Sequence, residues 1–130
     1  MTKGSDHALS ISVTEPGDGL FVVALSGELD MASAGELSLQ LAGLRSSART
    51  RIVVDVSGLA FIDSSGLNAL VTSARSVDAD DGWIVVAGPS QHIARVFDVV
   101  RLAESVEIEA YVKEALRRAE TIAASDEIGP

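Results

Sequence analysis

The sequence predicts a single α/β domain in which a mixed β-sheet is flanked by helices, with elements in the order β-β-α-β-α-β-α-β-α. Three observations carry this prediction. Leu9, Ile11 and Val13 alternate with Ser10, Ser12 and Thr14, and a Pro16-Gly17-Asp18-Gly19 turn leads on to the apolar run Leu20 to Leu25, as in an antiparallel hairpin. Two later runs, Ile52 to Val56 and Trp83 to Ala87, are rich in β-branched residues, a composition that suits strands buried on both faces. Each is followed by apolar residues spaced three and four apart, so strand alternates with helix and the pairing in this half is parallel.

Strands are expected near 9–14, 20–26, 52–56, 83–87 and 106–108. After the hairpin, Ser26-Gly27-Glu28-Leu29-Asp30 ends the second strand, and Leu37, Leu41 and Leu44 mark a helix from about Met31 to Leu44 with Asp30 as its N-cap. A polar link, Arg45 to Arg51, enters the strand from Ile52, which leaves the sheet at Ser57-Gly58. Leu67, Leu70, Val71, Ala74 and Val77 then line one face of a helix opened by Asp63, Ser64 and Ser65. Gly88-Pro89-Ser90 precedes a short helix with Ile93, Val96 and Phe97 inward. Val106 to Ile108 is a weak strand, and Val112, Ala115, Leu116, Ala119 and Ile122 mark a helix from about Ala110 to Ala124. The domain is thus expected over 9–124, with flexible ends at 1–8 and 125–130.

A chain of 130 residues suffices for one core, and 47% apolar content with 4% aromatic points to packing by Val, Leu, Ile and Ala. There are no cysteines, which excludes disulfides, thiolate nucleophiles and thiolate metal sites. A formal charge of −9 opposes attraction to nucleic-acid phosphates; solubility alone accounts for it, and it would also favour encounter with a basic protein surface. No apolar run reaches membrane-spanning length and the first residues lack a signal-peptide pattern, so a cytoplasmic location is expected.

Enzyme chemistry finds little support. The histidines are His7 and His92, neither within a motif that would make it a base for Ser64 or Ser65, and no G-x-S-x-G occurs. Asp78, Asp80 and Asp81 suit a solvated turn better than a cation site, Gly17 and Gly19 are not followed by the helix start a phosphate loop needs, and Arg117-Arg118 fits the polar face of the last helix. No catalytic turnover, resident cofactor or metal is expected.

The Asp63-Ser64-Ser65-Gly66 stretch is the place where function is most legible. Side-chain oxygens there cap a helix whose first N–H groups have no internal partner, and capping alone accounts for such residues. The same N–H groups and the positive dipole end would also hold a phosphate, so a modified hydroxyl is a second reading. If the helix start at Asp30 lies beside this one, two carboxylates and two hydroxyls share one end of the domain.

SGELD at 26–30, VVDVSGLAFIDSSGLNALV at 53–71 and GPSQHIARVFDVVRL at 88–102 together resemble the STAS domain of bacterial anti-sigma factor antagonists, over about Leu9 to Val112. The resemblance implies a STAS-like fold and partner switching. The unphosphorylated antagonist binds an anti-sigma factor that is also a serine kinase, releasing the sigma factor, and phosphorylation from ATP on that kinase prevents the binding until a phosphatase reverses it. The phosphoacceptor then falls on Ser64, with Ser65 as a secondary candidate, and Asp30, Asp63, Ser64, Ser65 and Gly66 face the partner. Related STAS domains serve instead in lipid or anion transport systems or in stress-sensing assemblies, which is the alternative role.

Overall fold

The computed structural model describes residues 8–44 and 49–128. The polar link at 45–51 and the flexible ends expected at 1–8 and 125–130 fall partly outside these residues. Among the described residues, β1 (Ser10–Gly17), β2 (Leu20–Leu29), β3 (Arg51–Ile62), β4 (Trp83–Ala87) and β5 (Ile108–Glu109) form one sheet in the order β1-β2-β3-β4-β5. The β1/β2 pair is antiparallel and the other three pairings are parallel, so the sheet is mixed, as expected.

Helices α1 (Ala34–Gly43), α2 (Ser64–Ala79) and α3 (Gln91–Val99) contribute to the larger core, on one face of the sheet, where Leu37, Leu41, Leu70, Val77, Ile93 and Phe97 meet Val23, Leu25, Ile52, Val54, Val56 and Val86. Alternation along the strands sends Val53, Val85 and Ala87 to the opposite face, where α4 (Val112–Ile128) packs on them through Ala115 and Ala119. Small residues on the helix let it approach closely. Arg51 ties this layer to the hairpin, donating to the Ala119 carbonyl at 2.8 Å and to the Asp18 carbonyl at 2.7 Å.

Several boundaries differ from the sequence reading. The strand that begins at Arg51 does not leave the sheet at Ser57-Gly58 but continues to Ile62, pairing with an equally extended β2 through two register shifts. A side chain at Gly58 would place its Cβ 3.0 Å from the Leu25 carbonyl oxygen. This glycine therefore serves a close strand approach at a bulge, and not a loop exit. At the other end of the fold, Val106 is buried in the larger core behind a 3-10 turn at Leu102–Glu104, which moves β5 on to Ile108–Glu109.

The basic pair lies on the polar face of α4, as expected, and Arg118 is engaged there. Arg118 is half-buried and forms ion pairs with Glu107 and with Glu109, the latter at 2.7 Å, while its guanidinium lies 5.6 Å from the centre of the Trp83 ring. The hydrogen bonds it donates to Glu109 and Glu107 hold its pKa above the ordinary arginine value. Arg117 pairs within the helix to Glu114.

Candidate functional site

The C-terminal ends of β2 and β3 lie side by side, with Leu29 opposite Ile62, so the segments leaving them begin as neighbours. Asp63 adopts an extended conformation at the N-cap of α2, and its Oδ1 accepts from the Gly66 N–H at 3.0 Å. Its other oxygen reaches across the strand gap: Oδ2 accepts from the Met31 N–H at 3.3 Å. The Asp63 N–H in turn donates to the Leu29 carbonyl at 3.2 Å. The segments that follow β2 and β3 are therefore joined through one residue.

Ser64 and Ser65 are the first two residues of α2. Ser64 is exposed, and among the described residues its hydroxyl has no hydrogen-bond partner; Ser65 is half-buried. The capping reading thus belongs to Asp63, which leaves the Ser64 hydroxyl available to another molecule. Gly66 is buried, and a Cβ there would stand 2.6 Å from the Leu29 carbonyl oxygen and 2.9 Å from Ile62 Cγ1. It enters the site from beneath, as the spacer that lets α2 start against β2.

Asp30 does not cap α1. That helix begins at Ala34, with Ser33 at the N-cap position, because Asp30 closes a turn of its own first. Its Oδ1 accepts from the Ala32 N–H at 3.0 Å and the Ser33 N–H at 3.2 Å. Ser33, buried, accepts from the Asp30 N–H through Oγ at 3.0 Å, and its hydroxyl lies 2.9 Å from the Glu28 carbonyl that it can donate to. The result is a rigid four-residue turn beside the α2 start, bringing Asp30, Asp63, Ser64 and Ser65 to one end of the domain.

Sequence reasoning missed three contributors. Ser33 locks the Asp30 turn, and its spacing three residues after an aspartate was the available signal. Met31 and Phe61 are apolar side chains 79% and 42% exposed on either side of the join, and nothing in their periodicity sets them apart from core residues. His92 lies on the outward side of α3 with Arg95, Val99 and Val100. Among the described residues, no three His, Cys, Asp or Glu side chains gather where they could hold a metal ion, and no helix is long and apolar enough to cross a membrane.

Residues 14–117 match the family model described as Mlab, STAS domain. The anti-sigma-B factor antagonist of Staphylococcus epidermidis is 26% identical over 91 residues, which span 70% of this chain and 84% of that one. In three dimensions the chain is similar to the Bacillus anti-sigma factor antagonist SpoIIAA in its unphosphorylated form, with a TM-score of 0.72 at 24% identity over 86% of this chain and 97% of that one. It is likewise similar to a sulfate transporter family protein from Wolinella succinogenes, with a TM-score of 0.74 at 15% identity over 85% and 93%. These two structural likenesses concern the fold.

Proposed function

Since this chain belongs to the STAS domain family, we propose that it is an anti-sigma factor antagonist whose Ser64 hydroxyl is a phosphorylation switch. The observation that carries the reading is the exposed, unpartnered Ser64 hydroxyl at the first position of α2, beside the Asp63 cap and the Asp30 turn. In this reading the unmodified surface binds an anti-sigma factor with serine kinase activity in the cytoplasm, and the sigma factor is released.

ATP is supplied on the kinase. Ser64 Oγ attacks its γ-phosphorus, a P–O bond to serine forms as the bond to ADP breaks, and the hydroxyl proton passes to a base on the kinase. The product carries about −1.5 to −2 charges beside Asp63, which repels an acid-binding partner surface and ends the complex. A phosphatase hydrolyses the ester and restores binding. The name borne by the staphylococcal relative supports the antagonist role, and SpoIIAA, of the same fold, is distinguished by its unphosphorylated form.

The test is incubation with the anti-sigma kinase of the same organism and ATP, followed by mass mapping. Phosphate on Ser64 is expected. Phosphate on Ser65 alone, or on neither serine while the two proteins still bind, overturns the switch.

A second reading, an accessory module of a transport system, is favoured by the fold shared with a sulfate transporter family protein. Co-purification from the native organism separates the two: a kinase partner supports the antagonist, and a transport protein with no kinase supports the module.

A further inference from the structure

We propose that the Asp63 carboxylate couples the covalent state of Ser64 to the Asp30–Ser33 turn, so that phosphorylation releases the Met31 side of this turn as well as adding charge. The inference rests on Ser64 being the phosphoacceptor. Its ground is the divided use of one side chain: Oδ1 caps α2 through Gly66 at 3.0 Å while Oδ2 holds the Met31 N–H at 3.3 Å, across 32 residues of sequence. Among the described residues this is the hydrogen bond that joins the turn to α2.

The turn is tied to β2 through Ser33 Oγ at the Glu28 carbonyl, 2.9 Å away, so it is the Met31 side of the turn that depends on Asp63. The turn's internal bonds run through Asp30 Oδ1 and Ser33 Oγ and do not involve Asp63. It also carries the exposed Met31 side chain and Asp30, the groups a partner would meet first. A phosphoryl group on Ser64 places a second and larger negative charge on the residue next to Asp63, competing for the first-turn N–H groups and the helix dipole. The two functions of Asp63 respond unequally. The cap is short and closes on its own helix, whereas the bond to Met31 is longer and solvent-exposed, so it is the one that yields. Asp63 is then a positioning residue, holding Met31 and Asp30 in the arrangement that the unmodified protein presents.

The experiment uses the full chain with phosphoserine incorporated at position 64 during translation, so that no kinase is needed, and follows amide hydrogen exchange by NMR. The Met31 amide is expected to exchange about tenfold faster in the phosphorylated chain. The Leu67 amide, bonded to the Asp63 carbonyl at 2.9 Å, reports an intact α2 start and is expected to be unchanged. Asp63→Asn without phosphate gives the same rise at Met31, because an amide can still cap Gly66 with its oxygen but then turns N–H donors toward Met31. An unchanged Met31 rate in either chain overturns the coupling, as does a rise at Leu67 equal to that at Met31, which would mean general fraying. These outcomes are independent of where a kinase places phosphate, so failure here leaves the Ser64 assignment standing, and the two failures are distinguishable.

Discussion

A Cβ on Gly66 would meet the Leu29 carbonyl oxygen at 2.6 Å, which makes the contact between the first turn of α2 and the end of β2 a backbone-to-backbone one. The obstructing atom is a carbonyl held in place by the pairing of Leu29 with β3 and by the Asp63 N–H, and it has little room to step aside. Gly66→Ala is accordingly expected to destabilise the fold by about 1–3 kcal/mol, despite the better helix propensity of alanine. It should also displace Ser64 relative to the Asp30 turn and weaken partner binding. Urea melts and a binding titration check the two effects; a variant as stable as the parent would show that α2 can shift without loss.

The proposed binding surface is tested by charge. Ser64→Ala is expected to bind the anti-sigma kinase and to accept no phosphate, whereas Ser64→Glu weakens binding by placing a carboxylate beside Asp63. Asp30→Ala removes the acceptor for the Ala32 and Ser33 N–H groups and loosens the turn, so it should weaken binding too. Calorimetric titration of the three variants against the same kinase measures each effect.

Core packing gives a prediction independent of function. Leu70 on α2 and Val54 on β3 are both buried in the larger core. Truncation to alanine should cost about 2–5 kcal/mol at Leu70 and about 1–3 kcal/mol at Val54, the difference reflecting side-chain volume removed. Denaturant midpoints with unchanged slopes would confirm that stability alone has moved.

Arg118→Ala should cost about 1 kcal/mol, since the ion pairs to Glu107 and Glu109 are half-exposed and screened while the stacking on Trp83 is lost with them. Because Trp83 is the single tryptophan, its fluorescence reports the loss directly. High salt should reduce the difference between variant and parent. The raised pKa of Arg118 sets the sign of the alkaline dependence: its contribution is fully present below the ordinary arginine value and is lost only as pH rises through the raised one. A thermal melt at mildly alkaline pH should therefore show the pairing intact.

The order of elements was readable from periodicity because each buried face repeats over several residues. Leu37 and Leu41, or Leu70, Ala74 and Val77, need no tertiary information to declare a helix face. Boundaries were less legible where one residue type serves two purposes. Gly58 reads as an exit from the sheet, yet its lack of a side chain admits Leu25 from the adjoining strand, a relationship between segments far apart in sequence. Asp30 reads as a helix cap because aspartate stabilises any run of free N–H groups, and the turn it closes with Ser33 offers the same groups three residues early. Within the site, DSSG marked the right helix start. That Asp63 also holds Met31 could not be read, since the pairing depends on the register between β2 and β3.

The sequential order of the strands bears on how the chain reaches this state. Each strand pairs with the one completed just before it, and no strand waits for a distant segment to be inserted between itself and its neighbour. Loop closures are confined to single hairpin or crossover lengths, which keeps the entropy lost at each step small. A chain emerging from the ribosome N-terminus first can therefore add strands in the order of their synthesis, with the edge of β3 covered only once β4 arrives. Helix α4, made after all five of these strands, shields Val53, Val85 and Ala87 from water. Until it docks, the nascent protein carries an open apolar face that makes this interval the moment of greatest exposure to aggregation.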